Sequence, residues 1–219
     1  MELTEKLNSL DETLQQFAPD VANRLQAGLN RAKIDALVKG FSWTLPPDVY
    51  HLYQWHDGLS VAPDKMSFVE KLLRQKDKWH GELSGRENEI ILKYGERELS
   101  AKFMPLEYAL AGHRHLKLGR CVLDLLPVFI LTEGKTKWYC MFRLDGQNSV
   151  LYCADGSKAP PRGIDESFLA QQIQFDCLAD FVSFLTACGK QTIESQSQNQ
   201  YNLKPKQFEE VFQQFATAV

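Results

Sequence analysis

The sequence predicts an α+β fold in which helices pack on one face of a mainly antiparallel sheet, with extra N- and C-terminal helices. Three observations carry this prediction. Apolar residues recur at helical spacing from Leu3 to Trp55. Residues 125–154 are rich in β-branched and aromatic side chains separated by tight polar turns, and helical spacing returns after Asp176. Helices, then strands, then helices, without β–α alternation, is the order of an α+β protein. At 219 residues the chain can bury one sizeable core, so 1–219 reads as a single domain.

Leu3, Leu7, Leu10, Leu14 and Phe17 share a helical face, which predicts a helix over Leu3–Phe17. Pro19-Asp20 breaks the chain. Val21, Leu25, Leu29 and Ala32 then predict a second helix ending near Gly40, where glycine can close a helix in the left-handed conformation. Pro46-Pro47 opens a third, with Val49, Leu52, Tyr53 and Trp55 on its apolar side and a stop at Asp57-Gly58. Trp43, Leu45, Tyr53 and Trp55 read as core or near-core residues, not as a ligand cage, and Asp48 and His51 as outward-facing. Ser67 and Glu70 have capping-box spacing, which predicts a lysine- and arginine-rich helix to Trp79 and then a polar loop to Glu89.

Glu89–Tyr94 and Leu99–Leu106 read as short strands, and Leu125–Thr132, Lys137–Leu144 and Ser149–Ala154 as a meander. Either loop length compatible with the turn around Gly146-Gln147 sets Cys140 opposite Cys153. Trp138, Cys140, Phe142, Leu151 and Cys153 then face the helices. Tyr139, Met141, Arg143, Val150 and Tyr152 form the other face, which is amphipathic, aromatic and the first choice for a partner-binding surface. Asp176 is a suitable N-cap for a helix carrying Leu178, Phe181, Val182 and Leu185, with Gly189 as its stop. Gln191–Gln200 reads as a polar linker. Phe208, Val211, Phe212 and Phe215 predict an amphipathic helix, about 205–217, packed on the core.

Composition narrows the function. A net charge of −3 gives no reason to expect a phosphate-binding surface, so no nucleic-acid partner is assigned. No apolar run has the length of a membrane span, and the first residues lack the order of a signal peptide. Five cysteines at 121, 140, 153, 177 and 188, without paired short spacing, suit reduced thiols in the cytoplasm.

Catalytic motifs are missing. The chain has no G-x-G-x-x-G, no phosphate-binding G-x-x-x-x-G-K-[ST] and no G-x-S-x-G elbow, so no cofactor is assigned. His113 and His115 are the best metal candidates, because alternate residues on a strand share a face. Zinc needs three or four protein ligands, however, and Gly112 and Gly119 point to a solvated loop. Asp124, Glu133 and Lys135 loosely match a D…E-x-K nuclease pattern, in which two acids hold Mg²⁺ and a lysine steadies water; Glu133-Gly134-Lys135 also sits where the meander needs a turn. Cys121, next to Arg120, is the cysteine nearest to a nucleophile's surroundings. No catalytic or metal site is assigned on these grounds.

The segment Ile34-Asp35-Ala36-Leu37 … Leu45-Pro46-Pro47-Asp48-Val49-Tyr50-His51-Leu52-Tyr53-Gln54-Trp55-His56-Asp57-Gly58 resembles the signature of the SUKH superfamily, the Smi–Knr-type group of bacterial immunity proteins and fungal cell-wall regulators. Phe103-Met104-Pro105-Leu106, the meander and the helix around Cys177–Leu185 follow in the order such proteins show. The resemblance spans about 34–189, with an insertion at about 64–99. It departs from the family in lacking a glutamate near Leu37-Val38 and in having Gly58-Leu59 for a Gly-Gly pair. It implies helices packed on one antiparallel sheet and a role without a shared catalytic motif; many members bind and block toxin domains, often nucleases. The expectation is therefore a non-catalytic protein-binding module whose partner is a toxin domain or a regulatory protein, acting as a monomer or homodimer. The alternative is a metal-dependent hydrolase built on Asp124, Glu133 and Lys135 or on the His113/His115 pair.

Overall fold

The computed structural model describes residues 2–59, 90–94, 97–118, 121–133, 136–144, 150–156 and 164–197. The basic helix expected at 67–79, its polar loop, Lys135, the 145–149 turn and the C-terminal phenylalanine-rich helix lie outside the described residues.

Helix α1 spans Leu3–Phe17 and buries Leu7, Leu10 and Leu14, the stripe that predicts it. Pro19 restarts the chain, but α2 lasts only from Pro19 to Ala22. The second helix expected to run to Gly40 is instead divided into α2, strand β1 (Leu25–Ala27) and α3 (Arg31–Val38). The division has one local cause and one tertiary cause. The Asn30 side chain accepts the Lys33 N–H at 2.9 Å and so starts α3 afresh. Gly28 lies against helix α4 (Pro47–Trp55) so closely that a β-carbon there would fall 1.8 Å from the Gln54 carbonyl oxygen. Strand β1 pairs with β2 (His56–Leu59), which follows α4 directly.

The main sheet has six strands, each antiparallel to its neighbours, in the order β3-β4-β5-β6-β7-β8. They are Ile90–Tyr94, Arg97–Phe103, Leu125–Glu133, Thr136–Arg143, Leu151–Asp155 and Ile173–Phe175. Cys140 stands opposite Cys153, the register the turn length requires. Residues 90–94 and 97–99, within the stretch read as an insertion, belong to this sheet.

Helix α5 (Leu106–Leu118) lies between β4 and β5 and contains His113 and His115, where the sequence suggested a solvated loop. Its helical signal is present but interrupted: Leu106, Ala109, Leu110 and His113 are buried at i, i+3, i+4 and i+7, with the polar His113-Arg114-His115 run obscuring the pattern. A one-turn helix, α6 (Glu166–Leu169), precedes β8, and α7 (Leu178–Ser197) follows it.

Helix α7 passes through Gly189, the expected stop, and takes in 191–197 of the expected linker. Gly189 is small for a packing reason: a β-carbon there would come within 2.7 Å of Thr13 and Phe17 on α1. The helix also starts at Leu178, which leaves Cys177 in the capping place expected for Asp176; the Cys177 thiol donates to Asp180 Oδ2 at 3.2 Å.

The inner sheet face builds the main core. Phe103 stacks on Phe129 with ring centres 4.8 Å apart, and Phe129 meets Phe181 of α7 at 5.0 Å. Tyr53 of α4 is fully buried beside Phe103 and donates its hydroxyl to the Met104 carbonyl at 3.1 Å. Trp43 and Trp55 are half-buried against this core, and His51 is exposed. Among the described residues no helix is long and apolar enough to cross a membrane.

Candidate functional site

Alternation along β6 and β7 divides their side chains as the register demands. Cys140, Phe142, Leu151 and Cys153 enter the main core. Tyr139, Met141 and Arg143, with Val150 just before β7 and Tyr152 within it, take the other face. That face is not open throughout. Met141 is 1 % exposed, because Leu116 at the end of α5, Cys121 and Leu123 of the next segment, and Ile164, Phe168 and Leu169 around α6 form a second, smaller core over it. Met141 is therefore a buried support of the expected surface. Tyr139, Arg143, Val150 and Tyr152 are half-buried.

The covering elements are held by polar contacts. Arg143 Nη1 lies 2.7 Å from Glu166, pairing β6 with α6. Asp165 caps α6 by accepting the Phe168 N–H at 2.9 Å, and this bond, with that from the Ser167 hydroxyl, holds its carboxyl below the usual range. Between the covering residues and the sheet remains a cavity of about 250 Å³. Its walls include Leu116, Pro127, Tyr139, Met141, Ile164 and Phe168, while His115 and Asp155 add polar groups. Burial pushes the Tyr139 phenol up, so it stays neutral. Leu118 and Val122, on and just after the α5 turn that bears Leu116, are 82 % and 70 % exposed.

Among the described residues the metal candidates do not assemble into a ligand set, although His113 Nε2 lies 3.8 Å from Asp124 Oδ1. His113 and His115 lie two residues apart on a helix, about 200° apart around its axis, and so on opposite sides. His113 is buried and His115 exposed. The His113 ring lies 3.1 Å from the Leu125 carbonyl through Nδ1 and accepts the Trp43 indole N–H at Nε2, 3.2 Å away. Burial lowers its pKa and keeps it neutral. Asp124 just precedes β5 and Glu133 ends it, a separation of roughly 30 Å along an extended strand. Asp124 pairs instead with Lys117 at 2.9 Å. Among the described residues no three His, Cys, Asp or Glu side chains group as an ion would require.

The cysteines are placed as packing residues. Cys140 and Cys153 touch at 2.8 Å between sulfurs, and burial pushes the Cys140 thiol well up. Burial also raises Cys121, whose thiol donates to the carbonyls of Leu123 and Ile164. Neither is poised as a thiolate.

Sequence reasoning found the sheet face but missed its cover. Leu116 had a helical signal leading to it from Leu106. Ile164 and Phe168 had none, since a single helical turn carries no periodicity.

Fold and site together define an α+β protein with a six-stranded antiparallel meander and a small, partly covered apolar cavity on the sheet face away from its main helical core. No protein-family model matches the chain, and no curated protein matches its sequence.

Proposed function

We propose that this chain is a non-catalytic protein-binding module, of the kind that blocks a toxin or regulates another protein, and that it docks its partner at the α5 end of the outer sheet face. The observation carrying this reading is the apolar cavity over Tyr139 and Met141, beside a helix end that leaves Leu118 and Val122 in water. At about 250 Å³ the cavity falls below the usual range for small-molecule sites and suits an anchoring side chain. The SUKH-like segment supports the same reading: Tyr53, Asp57 and Gly58 all serve the scaffold, leaving recognition to other surfaces. A cytoplasmic location fits five cysteines that form no disulfide bond with one another.

The test is affinity capture of the partner by the full chain, followed by calorimetric titration of the identified pair. Leu118→Asp with Val122→Asp should leave the melting temperature unchanged and weaken binding at least tenfold. Unchanged affinity in that variant removes the docking site. Stoichiometric Zn²⁺ or Mg²⁺ binding that is lost in His113→Ala/His115→Ala or Glu133→Ala would favour a metal-dependent hydrolase instead.

A further inference from the structure

The segment between α3 and α4 is fastened to α5 through the His113 imidazole, and the hydrogen bonds of that ring decide its protonation state. The Leu125 carbonyl can only accept, so His113 Nδ1 must carry a hydrogen. The Trp43 indole can only donate, so Nε2 must present its lone pair. The neutral Nδ1–H tautomer is the one state that satisfies both partners. Phe41 and Trp43 add ring contacts to His113, at 5.5 Å and 5.2 Å between centres, and the Arg114 guanidinium sits 5.0 Å over the Phe41 ring.

A proton on Nε2 would place two N–H groups against each other. An alternative partner is already close: Asp124 Oδ1 lies 3.8 Å from Nε2 while it binds Lys117. We propose that His113 is a proton-operated latch, which holds Trp43 while neutral and releases it to pair with Asp124 when protonated.

The charged groups around the ring define its working range. Arg114 and Lys117 on its own helix oppose the proton, and Asp124 before β5 favours it; the segment packed on the ring contributes the uncharged Phe41 and Trp43. Burial is the largest influence and lowers the pKa, so release falls below the ordinary histidine value of about 6.5. The latch lies on the same helix as His115 and Leu116 of the cavity, so a change at Trp43 acts on the element that bounds the proposed docking site. The latch itself does not depend on that reading.

Nitrogen-15 NMR of the full chain, following the tryptophan indoles and histidine rings from pH 8 to pH 4.5, tests the proposal. At pH 8 the His113 ring should be protonated at Nδ1 alone. The Trp43 indole resonance should then move with the same midpoint as His113 protonation, below 6.5. In Trp43→Phe the loss of a bond specific to the neutral ring should raise the His113 midpoint by roughly 0.5–1 pH unit. His113→Gln, whose amide oxygen can accept at every pH, should hold the Trp43 resonance constant. The latch is overturned by a Trp43 signal that stays still while His113 titrates, by an unchanged midpoint in Trp43→Phe, or by acid unfolding before His113 takes its proton.

Discussion

The carboxylate of Asp57 accepts the backbone N–H of Leu106 at 2.8 Å, so a residue at the start of β2 satisfies the first amide of α5. Helix N-termini leave such donors without partners, and here the partner comes from 49 residues away. The same strand is tied to β1, because Gln26 donates its side-chain amide to the Asp57 carbonyl at 2.8 Å. Asp57 thus joins the two-stranded sheet to the helix that bounds the cavity.

Asp57→Ala should cost about 1 kcal/mol by leaving the Leu106 amide without its acceptor. Asp57→Asn keeps an acceptor and should cost less. Burial raises the Asp57 pKa in the folded chain, so the native state binds the proton more readily than the unfolded state. Between the unfolded carboxylate value of about 3.9 and the raised native value, wild-type stability therefore gains as pH falls. Asp57→Asn should lack that gain. Urea unfolding of both variants at a series of pH values measures it.

Gly58 has φ of 72° and sits where a β-carbon would lie 2.3 Å from the Pro105 nitrogen. Gly58→Ala meets both a left-handed backbone and a backbone clash, and should destabilise by about 2–4 kcal/mol. A denaturation midpoint equal to wild type would contradict the close approach of β2 to the β4–α5 junction.

Gly189→Ala should destabilise although alanine is the better helix former. The new methyl meets Thr13 and Phe17 of α1 at 2.7 Å, and the expected loss is about 1–3 kcal/mol. Removing the Thr13 methyl should relieve part of it. A double-mutant cycle with Thr13→Ser, read by thermal unfolding, should therefore give a favourable coupling; strict additivity would place the two helices further apart.

Ellman's reagent at pH 8 should modify the thiols of the folded protein slowly. Cys121, Cys140, Cys153 and Cys188 are buried, with burial pushing Cys188 up to about 12, and Cys177 is half-buried. Cys177 should react first and all five only in denaturant. Rapid modification of Cys140 or Cys153 in the native protein would show that the inner sheet face opens readily.

The α+β class, α1, the limits of α4, the meander and the pairing of Cys140 with Cys153 were all legible in the sequence, because each rests on near-neighbour physics. Leu7, Leu10 and Leu14 report a helical face by their spacing, and a strand's two-residue period makes one register carry every side chain with it. What only the tertiary structure decided was the meaning of residues that answer to distant partners. Gly189 resembles a helix stop until α1 is laid across it. His113 resembles a loop ligand until Trp43 and Leu125 close on its two nitrogens. Met141 looks accessible on its strand, but Leu116, Ile164 and Phe168 arrive from remote parts of the chain to bury it. Periodicity encodes which face of an element is apolar; what covers that face is set by packing between elements, and no local pattern records it.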